Sequence, residues 1–161
     1  GLSHLEGEEV IVWADGIDYS PNVDGVQTTY TVTGGQITLP TAVSNAVVGL
    51  GYSAPWQSAK LGTFDANNSM LTRDKTIIKL GLVMAYGHAK GLRFGQDFDV
   101  MDDMPEIEQG TTVGANTVHE AYDEQPIEFP GTWLTDTRLC LLAQAPRPCT
   151  ILAAIPLLDI S

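Results

Sequence analysis

The chain has 161 residues, with eight Lys plus Arg against twenty Asp plus Glu, a formal net charge of −12. This length suits one compact domain or two small ones. The charge all but excludes a nonspecific nucleic-acid binder, which needs a basic stripe to displace counterions from phosphates, and it disfavours an anionic membrane surface by the same argument of sign.

Hydrophobic residues at 43% and charged residues at only 17% can build a core, the opposite of the balance in disordered chains. The longest apolar run, Ile151 to Leu158, carries Pro156 inside it and is far short of the roughly 20 residues that span a bilayer. The first residues, Gly1 to Glu9, are acidic and lack both the regions of a secretion signal and an initiator Met, so the expectation is a mature form or an excised fragment. Two cysteines, Cys140 and Cys149, are too few for a disulfide scaffold and lack zinc-site spacing.

Sixteen glycines and nine prolines are scattered as turn punctuation between short elements. In chain order, Val10 to Ala14 predicts a strand closed by Asp15-Gly16. Thr28 to Val32 alternates and leads through Thr33-Gly34-Gly35-Gln36 into Ile37 to Leu39. The Gly34-Gly35 pair is the clearest hairpin signal, because both central residues of a tight primed turn need positive φ. Ala46 to Tyr52 follows with Val48, Leu50 and Tyr52 on one face, and Trp56 to Leu61 is expected to extend the same sheet.

Ile78, Leu80, Leu82, Met84 and Tyr86 recur at period two, which together with Gly81 and Gly87 predicts a long strand rather than a helix. Lys90-Gly91 turns the chain into Leu92 to Phe94. Gln96 to Gly114 is acidic and poorly periodic, and Ala121 to Phe129, Arg138 to Ala143 and Cys149 to Leu158 read as further strands.

With no amphipathic helix of 12 residues, the expected fold class is all-β: a small β-barrel or sandwich followed by a second antiparallel β subdomain. The change of texture around Gly62 to Leu71 sets the expected domains at 1–62, β-barrel-like, and 63–161, with an acidic loop at 97–114 and a terminal β-hairpin.

Catalytic signatures are sparse. No Gly-x-Ser-x-Gly elbow or phosphate-cradling Gly-x-x-x-x-Gly-Lys-Ser/Thr loop occurs. His4, His88 and His119 are widely separated and read as surface or loop residues rather than catalysts. Asp97, Asp99, Asp102, Asp103, Glu106 and Glu108 form the best candidate for a Ca²⁺ site, since that ion takes six to eight oxygens. They lack the glycine and flanking helices of the helix-loop-helix pattern, so a solvated acidic loop or a face for a basic partner is preferred. A glycosidase pair could be drawn from the same acids without specificity. Trp13, Trp56 and Trp133 could line a sugar platform, although tryptophan in β-rich domains is more often core. If residues 144–148 turn a terminal hairpin, Cys140 and Cys149 could face each other; free thiols are the preferred reading. The expectation is therefore no catalytic, cofactor or metal residues.

Several ordered strings carry a family resemblance. Gly1 to Gly7 (GLSHLEG), Val10 to Gly16 (VIVWADG), Gly34 to Pro40 (GGQITLP) and Val47 to Tyr52 (VVGLGY) resemble, in order and spacing, a pattern common in virion proteins of tailed phages: approximately GLxHLEGxxVxVxADG, then GxITLP, then VGLxY. Ala59-Lys60-Leu61 falls where a threonine-leucine tail of that motif usually sits. The N-terminal part is similar to the first catalytic-cysteine-half β-barrel domain of ubiquitin-activating enzymes, a likeness of fold that transfers no ubiquitin chemistry. Lys75 to Leu82, Gly91 to Gly95 and the ending Ala143 to Pro156 fit as well, the last resembling a Pro-Leu-Pro-x-Thr-Val-Leu-Ala-x-x-Pro close. The chain departs from the pattern at Trp13, commonly Leu, at Gly51, commonly Pro, and in a lengthened loop from Asp18 to Gln27. The stretch from Asp97 to Gly114 is least matched.

The resemblance implies the C-terminal region of a tail tube, nozzle or hub protein of a short-tailed phage. Such a chain would be non-enzymatic and located in the virion, and would assemble with copies of itself into a ring that conducts DNA during ejection. Its partners would be other tail or adaptor proteins, with DNA only in transit and no membrane insertion. The alternative is a carbohydrate- or receptor-binding module at the tail tip, with Trp56, Trp133 and Tyr52 stacking on sugars.

Overall fold

The structure, a computed structural model, describes residues 1–23, 26–62, 64–65, 68–105, 107–108, 111–114, 116–122 and 126–161. The chain is all-β, as expected: antiparallel sheets account for its regular structure, with short 3₁₀ turns at Ser3–Leu5 and Met70–Thr72. It divides into two units, Gly1–Ser53 with Gln144–Arg147 and Ala54–Ala143 with Pro148–Ser161. The division thus falls between Ser53 and Ala54, ahead of the 62/63 boundary read from sequence texture, and four late residues belong to the first unit.

The first unit is organised by β1 (Glu9–Ala14), whose β-branched residues suit a pleated strand and bury Val10, Ile11, Val12 and Ala14. The turn Asp15-Gly16 has positive φ at both residues, 47° and 79°, the geometry of a primed two-residue hairpin, and returns the chain into β2 (Ile17–Asp18). β3 (Tyr30–Thr31) pairs with the start of β1, while β4 (Ala46–Leu50) pairs along it from Val10 opposite Leu50 to Ala14 opposite Ala46. Trp13 faces both Asp18 and Val47, and Val10 faces both Tyr30 and Leu50. β2 and β3 therefore share one side of β1, and among the described residues β4 has the other side to itself.

Gly34 and Gly35 adopt φ of 62° and 68°, and both of their N–H groups donate to the Glu6 carboxylate at 2.7 and 2.6 Å. The strand expected at Ile37 to Leu39 does not follow: Thr33 and Gln36 form an isolated bridge. Pro40, with no N–H, ends any ladder there.

Residues 144–147 are fastened to this unit by polar contacts. The Arg147 Nε pairs with Asp18 Oδ2 at 2.8 Å, the Gln27 amide donates to the Ala145 carbonyl at 2.7 Å, and the Ala145 N–H donates to the Tyr52 carbonyl at 3.0 Å. Ser20 Oγ, fully buried, accepts the Val12 N–H at 2.9 Å, and the Ser20 N–H donates to Asp18 Oδ1 at 2.8 Å.

In the second unit, β5 (Ser53–Gln57) joins a sheet with β7 (Leu92–Gly95), β8 (Met101–Asp103) and β11 (Cys140–Gln144) in the order β8-β7-β11-β5. Of the segment Trp56 to Leu61, expected to extend the β1 sheet, Trp56 and Gln57 therefore lie in this other sheet and the rest is outside any strand. The other sheet is built on β6 (Lys75–His88), which pairs on one side with β9 (Val118–Tyr122) and β10 (Ile127–Glu128) and elsewhere with β12 (Thr150–Ile160).

The long strand predicted around residues 77–86 is present, but its period-two face is interrupted. Leu80, Leu82 and Met84 are buried whereas Ile78 and Tyr86 are exposed. A register shift between Ile77 and Lys79 and a left-handed φ of 51° at Tyr86 turn those two side chains out, since one extra residue in a strand flips every later side chain. The core joins Ile77, Leu80, Leu82, Met84, Leu92 and Phe94 to Tyr122, Ile127, Phe129, Leu139 and Leu141, with Phe94 and Phe129 centroids 5.6 Å apart.

Two expectations about the C-terminal part are corrected. The segments 140–144 and 150–160 do not form a terminal hairpin, because β11 pairs with β7 and β12 with β6. The residues between them, 144–147, are held by the first unit instead of closing a two-strand turn. Cys140 and Cys149 accordingly do not oppose each other across a ladder, and both are free thiols.

Candidate assembly surface

The inner face of β12 is explained by its partner. Leu82 lies opposite Ala154, Leu80 opposite Pro156 and Ile77 opposite Leu158, placing β12 against the buried side of β6. On the outer face Gly81 lies opposite Ile155 and Lys79 opposite Leu157, and a second register shift at Val83/Met84 accommodates Leu152. The result is a strand of 11 residues with Leu152, Ile155 and Leu157 exposed at 65%, 62% and 53%. From Pro148 to Leu158 it carries no charged residue. A long apolar strand with one ladder partner among the described residues is a template for further pairing, and proteins that must stay apart guard such edges with charge.

β4 presents the same features in the first unit. It bonds β1 along one side, and Val47 and Leu50 are exposed, Val47 at 72%. No charged residue occurs between Gly25 and Ala59, although the whole chain carries −12. Asp15 fixes where this strand begins: its two carboxylate oxygens accept the Ser44 and Asn45 N–H groups at 2.7 and 2.9 Å, which holds the Asp15 carboxyl below the usual carboxylate range.

The residues singled out from sequence are placed as follows. Asp97 Oδ1 accepts the Asp99 and Val100 N–H groups at 2.9 Å and shapes the β7–β8 turn, while Asp103 pairs with Arg93 at 3.2 Å. Asp102 is exposed on β8. Glu106 and the Glu108 side chain lie outside the described residues. Among the described residues, no three His, Cys, Asp or Glu side chains converge as a metal site requires. The acidic stretch is also more ordered than expected, since it contains β8, whose Met101 is buried.

His4 is exposed and His119 is half-buried, edge-on to Tyr122 with centroids 5.7 Å apart. His88 is buried rather than on the surface; its Nδ1 accepts the Lys90 N–H at 2.9 Å. The core reading of the tryptophans holds in part for Trp13, which is half-buried, and fails for Trp56 and Trp133, which are exposed, as is Tyr52. Burial pushes the thiols of Cys140 and Cys149 above the ordinary cysteine range; Cys140 Sγ also accepts the Gln57 amide at 3.3 Å.

Sequence reasoning missed Lys75, which is fully buried. Its Nζ donates to the carbonyls of Thr135 at 2.6 Å, Arg73 at 2.8 Å and Leu71 at 3.4 Å, and burial, then nearby Lys60, pulls it below the usual lysine range. With its donors turned onto backbone carbonyls, this ammonium organises the start of β6 and is not poised as a nucleophile. A lone Lys before an apolar run gives no sequence sign of burial. The exposed apolar edges are half-signalled: their uncharged stretches are legible, their lack of a second ladder partner among the described residues is not.

Two open clefts flank the Gly34-Gly35 turn. One, of about 430 Å³, is lined by Thr29, Tyr30, Thr31, Thr33, Gln36, Ile37 and Thr38; the other, of about 510 Å³, by Gly1 to Ser3 and Gly34 to Ile37. Neither brings acid, base and nucleophile together. Compared with known proteins, the chain matches no family model and no curated protein.

Proposed function

We propose that this chain is a non-enzymatic structural component of a bacteriophage tail, of the tube or nozzle kind, which assembles with copies of itself into a ring forming part of the DNA-ejection conduit. The observation that carries the assembly reading is β12: an apolar strand of 11 residues, uncharged except for Asp159 near its end and with no second ladder partner among the described residues, in a chain of charge −12. A protein that works alone would blunt that edge with charge, whereas one covered by a neighbour has no need to. The tail assignment rests on the ordered motifs from Gly1 to Tyr52. The charge supports a conduit wall, because every Lys or Arg that neutralises a phosphate adds affinity for passing DNA. The test is gold labelling of purified particles with an antibody against this chain: gold at the tail end of particles is the expected result, and unlabelled particles with abundant soluble protein refute it.

A second reading, a carbohydrate- or receptor-binding module, draws on the exposure of Trp56, Trp133 and Tyr52, since rings that stack on sugars must face solvent. Glycan-array binding abolished by Trp133→Ala would favour it over the structural reading.

A further inference from the structure

The molecule offers two open strand edges of matching character, and they lie on different segments of the chain. Among the described residues, β4 pairs only along β1 and exposes Val47 and Leu50, while β12 pairs along β6 and exposes Leu152 and Ile155. Each sits in an uncharged stretch, Gly25 to Ala59 and Pro148 to Leu158, while twenty acids are distributed over the remainder. Two copies that each carry −12 repel one another, and the Coulomb cost of contact is least where neither face bears charge. Length adds a constraint. Pro156 has no N–H to give a new neighbour, so strand addition to β12 is best accommodated by residues 150–155, a run matched to the five residues of β4, which contains no proline.

We propose that copies of this chain join head to tail by strand addition, the open edge of β12 at residues 150–155 receiving the open edge of β4 at Ala46–Leu50 from the next copy. Val47 then packs with Ile155 across the new ladder, Leu50 lying on the opposite face of β4, and backbone groups that face water in the single chain become paired. The occupant is a second copy of this chain, and the contact is heterologous, the kind that adds copies in series and gives a ring where the rotation per copy closes. The inference rests on the ring reading above and specifies its contact.

Sedimentation velocity on the 161-residue chain, over a concentration series, tests it with two variants, Val47→Lys and Ile155→Lys. Both residues are exposed, so folding is retained, and circular dichroism melts check that. Each variant alone is expected to weaken association by about tenfold or more, because it buries an unpaired ammonium in the joint. An equimolar mixture of the two retains one intact pair of edges and is expected to give one-to-one dimers that grow no further. Hydrogen exchange should slow at residues 46–50 and 150–155 in the assembled parent and not in the variants.

Rings that survive both substitutions would overturn the strand contact and leave the ring reading standing. Loss of association with Ile155→Lys but not with Val47→Lys would overturn it in favour of β12 pairing with itself. A parent chain that stays monomeric throughout would overturn both readings.

Discussion

Replacing Arg147 by Met removes one partner of an ion pair that ties residues 144–147 to the first unit. Its side-chain exposure is 13% for Arg147 and 4% for Asp18, with Nε and Oδ2 2.8 Å apart, so water screens little of the interaction. The variant leaves the Asp18 carboxylate buried against an apolar side chain, with the Ser20 N–H still donating to it at 2.8 Å. Breaking a buried pair from one side costs about 3–5 kcal/mol. That is a large share of the roughly 5–15 kcal/mol that holds a domain folded. With a urea slope of about 1–2 kcal/mol per molar, the unfolding midpoint of the first unit should fall by about 2 M or more. Hydrogen exchange of the buried β1 amides, Val10 to Val12, read through a urea series, reports this unit directly. The double variant Asp18→Asn/Arg147→Met should recover much of the loss, since it removes the stranded charge. A loss under about 1 kcal/mol for the single variant, or a double variant no better than it, would refute the argument that burial makes this pair costly to break.

The other predictions concern separate parts of the structure. Gly131→Ala should destabilise the second unit by about 1–3 kcal/mol or more in urea unfolding, because a Cβ at residue 131 meets the Ile77 carbonyl oxygen and the Thr76 hydroxyl, and backbone cannot yield cheaply. The Asp15 carboxyl titrates lower in the folded chain than its ordinary 3.8, so its contribution is present above that value and lost as pH falls through the folded one. Asp15→Asn, which tolerates the left-handed turn, should therefore flatten the loss of stability between pH 6 and acid, and thermal melts across that range check it. The thiols of Cys140 and Cys149 titrate above their ordinary 9.0 when folded. Their contribution is present below pH 9.0 and declines as pH rises toward the folded values; Cys149→Ala should reduce the alkaline fall in melting temperature.

The sequence by itself determined the strand class and the tight turns. Alternation and β-branching place a strand wherever one face must be buried, and the primed turns at Asp15-Gly16 and Gly34-Gly35 need residues that accept positive φ, a purely local requirement. The uncharged stretches were equally legible, because charge is a property of residues and not of their neighbours.

Tertiary structure alone decided which strands pair. Cys140–Gln144 and Thr150–Ile160 look like a hairpin because they are adjacent in sequence, yet the ladder each joins is set by β7 and β6, whose partners must cover a common core. Ile78 and Tyr86 fit the period of Leu80 to Met84 and face solvent instead, since a shifted register is a negotiation between two strands. Lys75 reads as a surface cation until three backbone carbonyls converge on it. Exposure of Trp56 and Trp133, and of the β4 and β12 edges, is of the same kind: whether an apolar residue is covered depends on what the rest of the chain brings to it, and no local pattern records that.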